Sequence, residues 1–329
     1  MNGKEGAALA HGLLIGIDGG GTHSTAVAAY PDGRIAAVAY GGGLNFHNIG
    51  VEKAHGHMEQ MCAELCHACG VLAEEICVGM SALDAPADAA TLAAFTKGMF
   101  RPGQLDLQSD AYIALMGFTL GKPGVIVICG TGSMLLMLDK DGHQHAAGGW
   151  GYLLGDAGSG YTLAREGLLA AIDAAEGLAE DTPLLADALS YFKTDAPRGL
   201  IDRIYAPGFT PDQLAGFARC VLSRAKDGNA LARDILARNM HRLARHAAHL
   251  VEIAPEAACI GLYGGIFAHS DLARGMFTDA VQGMNPAIRV QGPDYPPELG
   301  ALIHLFKKRG LLTGDVLARM KSTYEEIRK

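Results

Sequence analysis

Residues 16–25 form a glycine-rich segment, Gly16-Ile17-Asp18-Gly19-Gly20-Gly21-Thr22-His23-Ser24-Thr25. Short apolar runs flank it, residues 13–15 before the segment and residues 26–30 after it. Strand, glycine-rich turn and strand in this order predict a β-hairpin. The segment lacks the Gly-Lys-Ser/Thr end of a Walker motif and the third glycine of a dinucleotide fingerprint, and both motifs need a helix after the glycines. We therefore predict a tight hairpin instead of either common phosphate loop.

This turn offers chemical groups that suit a phosphate and a divalent cation. Glycine has no side chain, so the backbone N–H groups of Gly20 and Gly21 can approach an anion closely. Thr22 and Ser24 add hydroxyls. Asp18 at the end of the strand is a candidate ligand of a divalent cation, through water in the case of magnesium. By itself, a plain hairpin turn explains the three glycines equally well.

Composition excludes several classes of protein. The chain has 329 residues, 49% hydrophobic and 19% charged, as expected for a globular protein with room for two domains. A formal net charge of −8 without a lysine-rich tract argues against nucleic acid or a membrane as partner, and no apolar run is long enough to span a bilayer. Seven cysteines without small-scaffold spacing predict free thiols. We therefore expect a cytoplasmic enzyme.

Three of the cysteines have the spacing that radical enzymes use for an iron–sulfur cluster. Cys62, Cys66 and Cys69 share one face of a predicted helix over residues 51–70 with Met58 and Leu65. A cluster needs thiolates that converge from a loop, whereas free cysteine is among the most buried residue types. The helical stripe favours core packing.

Two polar residues lie where α/β proteins commonly bind ligands. Asn45 belongs to a second glycine-rich loop, residues 41–50, and is a candidate substrate contact or a turn cap. Asp110 follows a short predicted strand and precedes a helix, which places it at the carboxyl edge of a sheet. Aspartate is also a frequent helix N-cap. The residues themselves leave both roles open at both positions.

Residues 125–147 repeat the pattern of the first hairpin. A strand of buried type is followed by the turn Gly130-Thr131-Gly132-Ser133 and by two further predicted strands. The second turn carries Thr131 and Ser133 much as the first carries Thr22 and Ser24. We interpret the repeat as a diverged duplication, in which two facing hairpins grip a polyphosphate between two domains.

Two later segments are also rich in glycine. Residues 148–151 read Gly148-Gly149-Trp150-Gly151 and contain the only tryptophan, which is either part of the core or exposed for a ligand. Gly264 and Gly265 end a predicted strand, where bare backbone suits a flat ring such as adenine or forms a simple turn. Residues 182–253 are predicted to be mainly helical.

With these residues, the chain resembles the BadF/BadG/BcrA/BcrD-type ATPase family, and within it the N-acetylglucosamine kinase branch. The motifs, which cover nearly the whole chain, are Asp18-Gly-Gly-Gly-Thr22, Gly130-Thr-Gly-Ser133, Gly148-Gly-Trp-Gly151, Gly155-Asp156 and Gly264-Gly265. The resemblance implies an α/β fold of two ribonuclease-H-like, actin-like ATPase domains with a cleft between them. The expected domains are residues 1–116, joined by a C-terminal helix at about 297–329, and residues 117–296, with a helical insertion at about 182–253.

The same resemblance implies a kinase that transfers the γ-phosphate of ATP to a hydroxyl of an amino sugar such as N-acetylglucosamine or glucosamine, and that forms a homodimer. The implied phosphate-binding residues are Gly20, Gly21, Thr22, Thr131 and Gly132. Asp18 would organise Mg²⁺, and Gly264, Gly265 and His269 would lie by the adenosine. The implied sugar-binding residues are Asn45, Asp110, Ser133, Gly148, Gly149, Trp150 and Asp156, with Asp110 at the position of the catalytic base.

The chain departs from the family pattern at two positions that bear on the choice of sugar. Met134 stands where animal N-acetylglucosamine kinases have asparagine, and Ala157 stands where the family usually has glutamate. The other arm of the family gives the rival interpretation, an ATPase that activates a dehydratase or reductase and holds an iron–sulfur cluster. Its glycine-glutamine-aspartate segment is not visible in this sequence. A sugar-sensing regulator without transfer activity is disfavoured because Asp18 and Asp110 are both present.

Overall fold

The structure is a computed structural model that describes residues 12–83, 87–98, 101, 103–180 and 182–328. The strands of this part of the chain are β1 (Leu13–Gly19), β2 (His23–Ala29), β3 (Ile35–Gly42), β4 (Ala73–Met80), β5 (Leu105–Gln108), β6 (Gly124–Cys129), β7 (Ser133–Leu138), β8 (Gln144–Gly148), β9 (Cys259–Tyr263) and β10 (Arg289–Gln291).

The helices of the described residues alternate with these strands and dominate the second half of the chain. They are α1 (Phe46–Ile49), α2 (Val51–Cys69), α3 (Ala89–Phe95), α4 (Asp110–Thr119), α5 (Gly160–Ala175), α6 (Pro183–Phe192), α7 (Gly199–Ile204), α8 (Pro211–Ala215), α9 (Ala218–Lys226), α10 (Ala230–Ile253), α11 (Gly265–His269), α12 (Asp271–Met284), α13 (Pro297–Lys308) and α14 (Gly314–Ile327). Within the described ranges, no helix combines the length and the apolar character that a bilayer crossing requires.

The chain divides into two compact units. The first contains the described residues up to Lys122 and those from Pro293 onward, and the second contains residues 123–292. The sequence prediction placed these boundaries at 116/117 and 296/297. The first unit therefore draws its last two helices, α13 and α14, from the C-terminal end of the chain.

The first unit is built on a five-stranded mixed sheet of order β3-β2-β1-β4-β5. Strands β1, β2 and β3 form an antiparallel meander, and β4 and β5 run parallel to β1. The register pairs Gly19 with Ser24 across the glycine-rich turn, which confirms the predicted hairpin. The turn residues thus lie at the carboxyl end of β1, the edge of the sheet at which β5 leads into α4.

The second unit repeats this topology. Its sheet has the order β10-β9-β6-β7-β8, with β6, β7 and β8 as the antiparallel meander and β9 and β10 parallel to β6. Read from β8, the order matches that of the first sheet strand by strand. The predicted duplication is confirmed at the level of topology, and residues 182–253 are mainly helical as expected.

The side chains of β1 alternate between the two faces of the sheet and therefore pack in two separate hydrophobic clusters. Leu13, Ile15 and Ile17 belong to the apolar cluster that includes α2, whereas Leu14 packs in the cluster of α4, α13 and α14 on the other face. Gly16 faces this second layer, because a β-carbon there would lie 2.5 Å from the carbonyl oxygen of Glu298. The backbone of α13 thus rests directly on β1, two residues before Asp18.

Candidate active site

The first group of candidate residues belongs to the hairpin turn of the first unit. Thr22 is exposed and Gly20 and Gly21 are partly buried, so their backbone and the Thr22 hydroxyl are accessible. Ser24 differs, because its side chain is buried and its Oγ atom has no hydrogen-bond partner in the described part of the chain. Of the two hydroxyls noted in the sequence, only that of Thr22 is presented to solvent.

The negative charges of two other carboxylates in the same unit act on Asp18. Burial, reinforced by the charges of Glu298 and Asp110, raises the pKa of Asp18 to about 7 from its ordinary value of 3.8. The negative charges of the other two acids disfavour ionisation of Asp18, and a bound cation would offset this effect. Asp18 offers the oxygen donors that magnesium prefers, whereas the three carboxylates are not grouped closely enough for all of them to be ligands of one ion.

Asp110 is the first residue of α4 and is not its N-cap. The cap is Ser109, whose Oγ accepts a hydrogen bond from the Tyr112 N–H at 3.1 Å. One carboxylate oxygen of Asp110 accepts from the Ala111 N–H at 2.7 Å, and burial raises the pKa of Asp110 above its usual range. The N-cap interpretation of Asp110 is wrong, although its carboxylate still accepts hydrogen bonds from backbone N–H groups in the first turn of α4.

Asn45 is a cap, the role that its sequence context allows as an alternative to substrate binding. It is the N-cap of the short helix α1, and its Oδ1 accepts from the His47 N–H at 3.1 Å. Its Nδ2 donates to the Ser81 hydroxyl at 3.0 Å. The side chain is thus held rigidly at the edge of the sheet, and a contact with substrate would have to use its remaining N–H and lone pair.

The corresponding turn of the second unit lies between β6 and β7. Thr131 is exposed, whereas the Ser133 hydroxyl is buried and donates to the Ala157 carbonyl at 2.8 Å. This division matches that of Thr22 and Ser24 in the first unit. Ala157 contributes through its backbone, so this contact does not depend on the glutamate that the family usually has there.

Asp156 packs directly against this turn. Its Oδ2 lies 2.7 Å from the point that a β-carbon on Gly132 would occupy. The carboxylate accepts hydrogen bonds from the Ser133 and Gly151 N–H groups, yet burial dominates and raises its pKa. Asp156 is also one of the few described non-glycine residues with positive φ, at 59°, a conformation that often marks a functional position.

The glycine-rich segment after β8 exposes its tryptophan. Gly148 and Gly149 both have positive φ, and 72% of the Trp150 surface is accessible to solvent. The core interpretation of Trp150 is therefore wrong. A large aromatic face in a glycine-lined loop has the character of a stacking surface for a ligand ring.

Gly264, Gly265 and His269 lie where β9 passes into α11. Gly264 is the N-cap of α11 with φ of 102°, and His269 is the exposed last residue of that helix. A cavity of about 730 Å³ lies beside His269 within the second unit. Its charged lining residues include Arg219, Lys226, Arg233, Asp271 and Asp279. The size is that of a site for a small organic ligand.

The cysteines do not form a metal centre in the described part of the chain. Cys62 packs in the core with Met58 and Leu65 on α2, and burial raises its thiol pKa to about 12. Among the described residues, one group of side chains lies close enough together to hold a metal ion. It consists of Asp139, Asp141 and His143 at the exposed β7–β8 turn and contains no cysteine. The prediction that the stripe packs in the core is confirmed for Cys62.

Sequence reasoning missed Glu298. It lies in the first turn of α13, is only 6% exposed, and accepts a hydrogen bond from the Tyr324 hydroxyl of α14. The sequence holds one signal, an acidic residue directly after two prolines at the start of a predicted helix. That signal indicates a favourable helix N-terminus and says nothing about Asp18.

Comparison with known proteins adds independent findings. The sequence profile of the BadF/BadG/BcrA/BcrD ATPase family matches residues 15–304. An N-acetylmuramic acid/N-acetylglucosamine kinase of Clostridium acetobutylicum is 26% identical, over 88% of this chain and 97% of that protein. A glucosamine kinase of Vibrio cholerae is 30% identical, over 68% of this chain and 74% of that protein.

A solved structure from Chromobacterium violaceum, described as a candidate N-acetylglucosamine kinase, superposes with a TM-score of 0.72 at 27% sequence identity. The match covers 90% of this chain and 99% of that one. The fold is therefore the mixed α/β fold of the actin-like sugar kinases, as the sequence resemblance implied.

Proposed function

The chain belongs to the BadF/BadG/BcrA/BcrD ATPase family, and we propose that within this family it acts as an ATP-dependent kinase of an amino sugar such as N-acetylglucosamine or glucosamine. One observation carries the proposal. Asp110 begins α4 at the carboxyl end of β5 without capping the helix, and burial raises its pKa. A partly buried carboxylate that is not committed to a cap is suited to accept a proton from an alcohol.

In the proposed reaction, a sugar hydroxyl oxygen attacks the γ-phosphorus of ATP. The new bond joins the sugar oxygen to phosphorus, the bond from the γ-phosphorus to the β–γ bridging oxygen breaks, and ADP leaves. The hydroxyl proton passes to the Asp110 carboxylate. Phosphoryl transfer needs little covalent help from the protein, so most of the catalysis comes from positioning and from stabilisation of charge.

We assign the nucleotide to residues of both units. Gly20, Gly21 and Thr22 would bind phosphate oxygens through N–H groups and a hydroxyl, as would Thr131 and Gly132. The exposure of both threonines supports this assignment. Gly264, Gly265 and His269 would lie by the adenosine, and of the three only His269 lines the cavity described above.

Asp18 would hold Mg²⁺, through water in view of the reluctance of that ion to dehydrate. The neighbouring charges of Asp110 and Glu298 support this assignment, because a cation would relieve their repulsion. Bound there, the ion would neutralise charge on the transferred phosphate.

The sugar would bind to Asn45, Asp110, Ser133, Gly148, Gly149, Trp150 and Asp156. Trp150 offers an exposed aromatic face for a sugar ring, and Asp156 and Asn45 are held in place by neighbouring hydrogen bonds. Polar groups fixed in this way can reject sugars that leave them unpaired. Met134 is apolar where animal N-acetylglucosamine kinases have asparagine, and Ala157 is apolar where the family usually has glutamate. We therefore expect the site to discriminate less strongly between sugars with and without the N-acetyl group.

The rival interpretation, an activator with an iron–sulfur cluster, is less supported because the cysteine stripe packs on α2. We further propose a cytoplasmic homodimer. All seven cysteines are free, which supports a reducing compartment. Light scattering of the purified protein would give the oligomeric state directly.

The decisive experiment measures ADP release from ATP and Mg²⁺ with N-acetylglucosamine, glucosamine, N-acetylmannosamine and glucose in parallel. We expect strong stimulation by one sugar, loss of turnover with EDTA and recovery with added Mg²⁺. Asp110→Asn should bind ATP normally and lose several orders of magnitude in transfer, because it keeps the shape and removes the proton acceptor. Hydrolysis that no sugar stimulates, or iron in protein purified without oxygen, would overturn the proposal.

A further inference from the structure

We propose that His304 is a positioning residue that holds the β5–α4 junction, and with it Asp110, in place. The inference rests on the proposed function, in which Asp110 accepts the proton. His304 lies on α13 and its imidazole bridges two residues on either side of that junction. Nε2 is 2.9 Å from Asp106 Oδ2 on β5, and Nδ1 is 3.0 Å from the Tyr112 hydroxyl in the first turn of α4. Asp110 lies between Asp106 and Tyr112 in the chain.

The hydrogen-bond donors and acceptors of the three groups fit a continuous bridge. Hydrogen bonds, the one from His304 first, hold the pKa of Asp106 well below its usual range, so this residue is a carboxylate. Burial raises the pKa of Tyr112 to about 12, so the phenol keeps its proton. With its proton on Nε2, His304 donates to Asp106 and accepts from the Tyr112 O–H, and all three groups are satisfied.

The bridge is sheltered from solvent. The side chain of His304 is 15% exposed and that of Asp106 is 21% exposed. A charge-assisted hydrogen bond in such surroundings is stronger and more directional than one on the surface. The imidazole also meets the Tyr112 ring edge to face, with 5.4 Å between the ring centroids.

A second contact on α13 brings the backbones of α13 and α4 together. A β-carbon at Gly300 would lie 1.9 Å from the Ile113 carbonyl oxygen, so the two helix backbones touch there. His304 is four residues further along, on the same face of α13. The backbone contact holds the two helices together, and the hydrogen bond between Tyr112 and His304 adds a side-chain contact in the first turn of α4, the turn that begins with Asp110.

Kinetics of single variants test the inference. Tyr112→Phe removes only the hydroxyl, and His304→Ala removes the whole bridge. We expect kcat to fall by about tenfold or more in each, with the KM values for sugar and ATP within about twofold of the original, because small displacements of a reacting group are costly in rate. Lys308→Ala is the matched control. It removes another partner of Asp106, at 3.2 Å, without touching Tyr112, and should keep kcat within about twofold.

A double-variant cycle separates positioning from general destabilisation. In an Asp110→Asn background, Tyr112→Phe should leave the residual rate unchanged, because its effect passes through Asp110. A merely structural role would lower the residual rate by the same factor in both backgrounds. Melting temperatures of all variants identify any that fail to fold. If His304→Ala does not fold, Tyr112→Phe still tests the inference, because it keeps the aromatic ring and removes only the hydroxyl.

The outcomes distinguish this inference from the function on which it rests. If the unmodified protein shows no sugar-stimulated ADP release, the proposed function fails and this inference falls with it. A different result would overturn only the role of His304. In that case a sugar stimulates ADP release and Asp110→Asn is inactive, but Tyr112→Phe and His304→Ala keep kcat within about twofold. An equal loss in Lys308→Ala would also overturn it.

Discussion

The Asp156 carboxylate lies against Gly132, with Oδ2 only 2.7 Å from the point that a β-carbon on Gly132 would occupy. The carboxylate has little freedom to withdraw, because Asp156 is 7% exposed and is held by the N–H groups of Ser133 and Gly151. The turn that carries Thr131 and the loop that carries Trp150 are therefore coupled through one side chain. Both loops belong to the proposed site, so a substitution at Gly132 should change the rate of phosphoryl transfer.

Gly132→Ala should lower kcat/KM by about ten- to hundredfold, because the new methyl group must displace the Asp156 carboxylate and with it the geometry of the turn. Steady-state kinetics with the preferred sugar would show it. Gly283→Ala is the control, since a β-carbon at that position on α12 meets no atom within 4 Å. Wild-type kinetics for Gly132→Ala would show that the turn does not need the Asp156 contact.

Asp18→Asn should stabilise the metal-free protein in a manner that depends on pH. The folded chain keeps the Asp18 proton up to about pH 7, whereas the unfolded chain loses it near the ordinary pKa of 3.8. Between these values the folded state binds more protons, so stability falls as pH rises, by at most about 1.4 kcal/mol per pH unit. The variant lacks this dependence on pH. Its free energy of unfolding should therefore exceed that of the unmodified protein by an amount that grows up to about pH 7 and then stays constant.

Urea unfolding in EDTA at several pH values measures this difference. Glu326→Gln, a change at an exposed carboxylate of α14, is the control. Parallel stability curves for Asp18→Asn and the unmodified protein would contradict the raised pKa.

Trp150→Ala should leave stability within about 0.5 kcal/mol of the original, because the side chain is 72% exposed. We expect the KM for the sugar to rise about tenfold, since the variant removes the stacking surface. Leu178→Ala, at a side chain that is 75% exposed, controls for loss of surface apolar area. An unchanged sugar KM would remove Trp150 from the site, and a large loss of stability would contradict its exposure.

Two glycine-to-alanine changes in the first unit should have opposite effects on stability. Gly16→Ala puts a methyl group against the backbone of α13, 2.5 Å from the Glu298 carbonyl oxygen, and should cost about 1–3 kcal/mol. Gly56→Ala lies in α2, where no atom is within 4 Å of the new carbon, and should add about 1 kcal/mol through helix propensity. Chemical denaturation of both variants measures the pair, and a stable Gly16→Ala protein would contradict the packing of α13 on β1.

Local pattern was enough to predict much of the fold. The hairpin of β1 and β2, helix α2 and the repeat of the meander in the second unit all follow from residues close together in the chain, because turns and periodic burial depend on neighbours. The family motifs are local as well, and the profile match confirms the resemblance they implied.

The roles of individual polar side chains did not follow from local pattern. Asp110 and Ser109 are both good caps by type, and the structure assigns the cap to Ser109. Asn45 was open between cap and substrate contact, and its hydrogen bond to Ser81 shows how it is held. Local propensity ranks residue types, whereas the choice between adjacent candidates depends on backbone angles set by packing.

The sequence by itself therefore determined the order of strands and glycine turns and the residue types at the candidate site. Only the tertiary structure decided which hydroxyls are exposed, that the charges of Glu298 and Asp110 act on Asp18, and that His304 bridges Asp106 to Tyr112. The physical reason is the range of the interactions. Hydrogen bonds, charges and close packing act over a few ångströms in space, and α13 reaches β1 and α4 only after the chain has folded.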